Sequence, residues 1–137
     1  MEDCIFCKIA KKQIPSENIV YENDRIISFL DINPTTPGHT LVIPKEHYRT
    51  ILETPDDILK ELIATTKKIA KAVKEAVNAD GLVIGINTEK AAGQIIFHTH
   101  FHIVPRFEND GLRPWPQSKY QPGQAENIKK EIIKHLK

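Results

Sequence analysis

The sequence predicts an α+β fold on a largely antiparallel sheet, and three features carry that prediction. Short β-rich runs follow one another across turns too brief for parallel crossovers. One long amphipathic stretch falls between the third and fourth runs, and a strand of alternating residues closes the set. At 137 residues, 40% hydrophobic and 27% charged, the chain has material for one core and too little length for two ordinary domains.

From the N-terminus, Ile5, Phe6, Ile9 and Ala10 have the spacing of a short helix over 5–12, ended ahead of Pro15. Ile19–Tyr21 and Arg25–Leu30 read as a hairpin around Glu22-Asn23-Asp24. The prolines and glycine of Asn33–Gly38 make a loop, after which His39–Ile43 is a strand stopped by Pro44. Thr54-Pro55-Asp56-Asp57 has the form of a helix start, with a capping hydroxyl, proline at the first helical position and acids in the first turn. That helix should reach about Asn78 with Ile58, Leu62, Thr65, Ile69, Val73 and Ala76 on one stripe. Leu82–Asn87 follows as a buried strand, Thr88–Gly93 as a turn and Ile95–Val104 as the last strand. Residues 105–124, punctuated by Pro105, Pro114, Pro116 and Pro122, should form an arm without a core, and Ile128, Ile132 and Leu136 predict a C-terminal helix. The chain thus reads as one domain over 1–137, its core in 3–106, with an arm and terminal helix in 107–137.

Nineteen Lys and Arg offset eighteen Asp and Glu, and no block of five like charges occurs. Neither nucleic acid nor an acidic membrane surface is therefore expected as the main partner. No run approaches the ~18 apolar residues of a membrane span, and Met1–Cys4 has no basic region leading into an apolar stretch. A soluble, cytoplasmic protein is expected.

The chemistry concentrates in His98-Thr99-His100-Phe101-His102. Strand side chains alternate between faces, so the three histidines should share one face while Phe97, Thr99, Phe101 and Ile103 fill the core. Three imidazoles in register are poor core material, because each polar edge needs a partner. They can hold a catalytic metal with a further ligand, or supply a nucleophile and a proton shuttle. Ala92-Gly93-Gln94, a glycine permitting close approach beside an amide able to hold an oxyanion, favours an anionic substrate.

His98–Val104 resembles the histidine triad motif, His-x-His-x-His and two apolar residues, of the HIT superfamily of nucleotide hydrolases and transferases. Cys4–Ile9, Phe29-Leu30-Asp31, Pro37–Lys45 and Ala92–Gln94 also resemble that family's blocks in its order, nearest to its Hint-like and prokaryotic zinc-containing branch. The resemblance spans about residues 3 to 106. It implies a HIT-like fold, a homodimer and cleavage at the α-phosphorus of nucleoside 5′-monophosphate derivatives such as purine nucleoside phosphoramidates. Diadenosine polyphosphate hydrolysis, or nucleotide binding with weak catalysis, are the alternatives.

Residue by residue, the resemblance implies that His100 attacks phosphorus and carries the nucleotidyl group, His102 assists the leaving group, and His39 orients His100. Asn87, Gly93 and Gln94 would fix the phosphate and Asp31 would accept the ribose hydroxyls, although Asp31 ahead of a proline loop also suits a turn cap. Phe6, Ile9, Ile14, Phe29, Leu30 and Ile32 would form the base pocket. Ile95 stands where many relatives have Ser or Thr, removing one hydroxyl contact to phosphate. Cys4 and Cys7 suit either a redox pair or a structural zinc, and no strand precedes them as a thioredoxin-like pair requires. Completed by His47 and His98, at positions used by zinc-bearing HIT relatives, they would make a structural zinc site. His135 reads as a solvated helix residue.

Overall fold

Apolar side chains on both faces of the central strands dictate a sheet covered on both sides. In the computed structural model, which describes residues 3–136, β1 (Ile19–Glu22), β2 (Ile26–Leu30), β3 (Thr40–Pro44), β4 (Gly81–Gly85) and β5 (Phe101–Arg106) form one antiparallel sheet. Their order is β1-β2-β3-β5-β4. Ile26, Val42, Phe101 and Ile103 pack with Leu62, Ile69 and Ala70 of α2 (Asp56–Ala76). Ile27, Phe29, Leu41 and Ile43 pack instead with Phe6 and Ala10 of α1 (Ile5–Ala10). A residue and its neighbour thus serve different cores, which is why β2 and β3 read as continuous apolar runs. α3 (Gln124–His135) follows the 107–123 arm with Ile128, Ile132 and Leu136 exposed. Among the described residues no helix is long and apolar enough to cross a membrane.

Several boundaries differ from the sequence expectation. α1 stops at Ala10 because Lys12 turns to φ 60°, and α2 stops at Ala76 because Asn78 turns to φ 53°. Thr54 does not cap α2; its hydroxyl donates to Thr50 O at 2.8 Å and lies 2.8 Å from Thr99 Oγ1. Thr66 and Ala70 are buried on α2, while Ala76 is exposed. β4 is an edge strand rather than a buried one, with Val83 and Ile84 each 44% exposed.

The last strand begins at Phe101, not Ile95. β5 pairs with β3 only over Thr40–Val42. Pro44 has no N–H to extend that ladder, and the Thr99 N–H donates at 2.8 Å to Tyr48 O in the loop beyond β3. Of the three histidines only His102 lies in a strand. Phe101 and Ile103 enter the core as expected, whereas Phe97 is half-buried under the Arg49 guanidinium, 4.8 Å from its ring centre.

Candidate active site and metal centre

His39 immediately precedes β3, which pairs with β5, and the loop before it folds back on itself. Gly38 has φ 96°, and a Cβ there would meet Val77 Cγ1 at 3.0 Å and Pro105 Cγ at 3.2 Å, so only glycine fits without rearrangement. The Thr36 hydroxyl ties the loop to β5 through Pro105 O at 2.6 Å. Thr35 thereby directs its N–H to His39 Nδ1 at 3.0 Å.

This bond fixes a chain of tautomers. With Nδ1 accepting, a neutral His39 carries its proton on Nε2 and donates it to His102 Nδ1 at 2.9 Å. His102 then presents an Nε2–H. His100 Nδ1 lies 2.7 Å from His98 O, and a carbonyl only accepts, so Nδ1 bears the proton and Nε2 is a bare lone pair. The expectation that His39 orients His100 is corrected here: His39 serves His102, and a main-chain carbonyl orients His100. The His100 and His102 ring centres are 4.9 Å apart.

Burial pushes the pKa of His100 and His39 below the ordinary value, and Asp31 opposes the fall in both. Burial, reinforced by His100 and His39, lowers His102 to about 4. All three rings are therefore neutral near pH 7, as a nitrogen nucleophile requires. Asp31 Oδ2 stands 3.7 Å from His39 Nε2, and Oδ1 accepts the Asn33 N–H at 2.9 Å. Asp31 thus caps the turn through one oxygen and places the other beside the histidine chain.

The expected phosphate loop assembles, but not as expected. Asn87 is exposed and donates through Nδ2 to Ala92 O at 2.7 Å, beside Gly93 at φ 90°. Gln94 is only 4% exposed, and its amide is fully engaged. Oε1 accepts the Glu89 N–H at 2.7 Å, while Nε2 donates to Arg49 O at 2.8 Å and Ile96 O at 3.1 Å. No amide hydrogen remains for an oxyanion, so Gln94 staples the loop and does not hold phosphate. Ile95 next to it is 88% exposed. Of the expected base pocket, Phe6 and Phe29 are buried, Ile9 and Ile14 half-buried, and Leu30 and Ile32 exposed.

Cys4, Cys7, His47 and His98 form a second cluster, with one ligand atom of each within 4.8 Å of the others. The Sγ atoms of Cys4 and Cys7 are 3.4 and 3.5 Å from His98 Nδ1, Cys7 Sγ is 3.3 Å from His47 Nδ1, and the two Nδ1 atoms are 3.2 Å apart. A zinc tetrahedron with Zn–S of about 2.3 Å and Zn–N of about 2.05 Å has S···N edges near ~3.5 Å and an N···N edge near ~3.3 Å. His98 donates through Nε2 to Pro44 O at 2.7 Å, leaving Nδ1 bare toward the sulfurs. Burial and then Cys4 push the Cys7 thiol up to about 11, so paired thiolates need a cation beside them. The donor set fits a metal ion. Asp31, His39 and His102 also lie close enough for one, but the Thr35 bond keeps a proton on His39 Nε2, which suits a hydrogen-bonded relay instead.

The HIT domain family model matches residues 11–109. The chain belongs to the HIT family. An uncharacterised HIT-like protein of Borreliella burgdorferi is 46% identical to this HIT protein over 140 residues, covering 99% of this chain and 94% of its relative. The adenosine 5′-monophosphoramidase HNT1 of Saccharomyces cerevisiae is 38% identical over 135 residues, covering 97% and 82%. A structure from Streptococcus mutans UA159 superposes at a TM-score of 0.93 with 43% identity, covering 100% of this chain and 87% of that one. A zinc-bound histidine triad family protein from Mycobacterium smegmatis superposes at 0.77 with 38% identity, covering 90% and 89%.

The acting groups that side-chain patterns did not disclose are main-chain ones: His98 O, Pro44 O and the Thr35 N–H. Only the proline and glycine spacing of Asn33–Gly38 signalled that a tight loop would aim one of them.

Proposed function

We propose that this HIT protein cleaves purine nucleoside 5′-monophosphate derivatives, phosphoramidates of AMP above all, at the α-phosphorus through a nucleotidyl-His100 intermediate. The observation that carries the reading is the bare Nε2 of His100, enforced by Nδ1–H donation to His98 O at 2.7 Å. Nε2 bonds to phosphorus as the phosphorus–nitrogen bond of the substrate breaks. The positive charge that arises on the substituted ring is stabilised by the same carbonyl. His102 Nε2–H donates a hydrogen bond to the departing nitrogen, which leaves as the amine with a proton taken from solvent, and water then cleaves the nucleotidyl-imidazole, restoring neutral His100 and releasing a proton with the nucleotide. The similarity to an adenosine 5′-monophosphoramidase supports the choice of leaving group. Asp31 keeps lone pairs on both oxygens for the ribose hydroxyls, and Asn87 keeps one Nδ2 hydrogen for phosphate.

Cys4, Cys7, His47 and His98 would hold zinc. Four protein ligands close the shell, so the ion would supply cohesion and no activated water. Thiolate ligation suits a reducing compartment, the cytoplasm. The exposed edge of β4 is the surface on which a second copy would extend the sheet into a homodimer.

A substrate panel tests the reading. Adenosine 5′-phosphoramidate should turn over faster than diadenosine polyphosphates, with His100→Ala as the blank. Preference for the polyphosphates would reassign the leaving group, and hydrolysis by the blank would remove the covalent mechanism.

A further inference from the structure

Phe6 is expected to face the nucleobase, yet its surroundings are those of a bearing for the nucleophile. Its ring is 4% exposed and stands edge-to-face against three others. The His100 ring centre is 5.1 Å away at 84°, His98 is 5.9 Å away at 77°, and Phe29 of β2 is 5.4 Å away at 68°. We propose that Phe6 is a positioning residue that fixes the plane of the His100 imidazole and so the aim of its Nε2. The inference rests on His100 being the nucleophile.

The hydrogen bond to His98 O constrains one atom of the His100 ring, and a ring held at one atom can still rock about it. Perpendicular packing of a second, immobile ring at 5.1 Å removes that freedom, because rocking would drive atoms of one ring into the other. His102 closes another side at 4.9 Å. Phe6 itself cannot drift. It is the second residue of α1, whose start is pinned by the Cys7 N–H donating to Cys4 Sγ at 3.4 Å, and Phe29 backs it from the sheet. A displacement of about 1 Å at a reacting atom can cost about 100-fold in rate, so Phe6 should act on kcat. A base-pocket residue would act on KM, and a packing residue on stability alone.

The test measures adenosine 5′-phosphoramidate hydrolysis, AMP affinity and melting temperature for Phe6→Leu, Phe6→Tyr, Phe6→Ala and His100→Ala. Leucine keeps apolar bulk and removes the ring; tyrosine keeps the ring. Phe6→Leu should lower kcat by about 10-fold, and Phe6→Ala by about 100-fold, with AMP affinity unchanged and kcat restored toward wild type in Phe6→Tyr. Should Phe6→Ala fail to fold, the contrast of leucine with tyrosine decides. A Phe6→Leu enzyme with unchanged kcat and weakened AMP binding would return Phe6 to the base pocket. One with unchanged kcat and only a lower melting temperature would make it packing. In both cases an inactive His100→Ala keeps the nucleophile assignment and overturns only the role of Phe6. Turnover by His100→Ala overturns both.

Discussion

His100 can act as a nucleophile only while its ring is neutral, and burial holds its pKa below the ordinary ~6.5. The acid limb of the kcat/KM profile should therefore be centred below pH 6.5, with the protein still folded. An acid limb centred above 6.5 would contradict the buried, neutral nucleophile. His100→Ala should abolish turnover while AMP binding, measured by calorimetry, survives. His102→Ala should spare substrates with good leaving groups, since these need the Nε2–H hydrogen bond least. Equal losses across a leaving-group series would remove His102 from that role. Asp31→Asn keeps an oxygen for the Asn33 N–H but loses acceptor capacity, so ribose should lose its advantage over 2′,3′-dideoxyribose. At this scale the sequence pointed to side chains that the fold brings together, and it missed what sets their protons. The alternation rule placed His98, His100 and His102 on one face, whereas a main-chain turn before Phe101 sends His98 to the cysteines and His100 to His102.

Secondary-structure elements were legible wherever a side-chain period repeats, as in α2 and the β1–β2 hairpin. They were less so where pairing partners decide. β4 carries the apolar run of a buried strand and lies at the sheet edge, because periodicity does not report which strand lacks a neighbour. The 95–100 segment has strand-like alternation but bonds the loop after β3. Gln94 is central to that departure, joining Glu89, Arg49 and Ile96 across the loop. Gln94→Ala should destabilise the protein by about 1–3 kcal/mol, since it strips a buried site of three hydrogen bonds, and urea unfolding would measure it. A direct phosphate contact would instead leave stability intact and raise KM. On the other face of the sheet, Leu62 is fully buried between α2 and the strands, so Leu62→Ala should cost about 2–5 kcal/mol.

The molecule as a whole should weaken in acid even before its carboxylates titrate. Burial lowers His102 to about 4 in the folded state, against ~6.5 in the unfolded chain. Between those values the unfolded chain takes up a proton that the folded one refuses, so stability falls as pH drops from 6.5 toward 4. Comparing urea midpoints at pH 7 and pH 5 for wild type and His102→Gln checks this, because the variant should lose part of the slope. Chelation, or Cys4→Ser, should lower the melting temperature together with the zinc content. A full melting temperature after complete metal loss would show the cluster to be dispensable to the fold. Val83→Lys should convert a dimer to a monomer in sedimentation if β4 is the shared edge. His98 meanwhile divides at its own α-carbon: its ring faces the sulfurs and its carbonyl faces the His100 ring. Scanning mutagenesis grades a position by its side chain, and no natural substitution deletes a carbonyl. His98→Cys should therefore give a three-sulfur cage that still binds zinc and an enzyme that still turns over, hiding from any such scan the half of the residue that acts on His100.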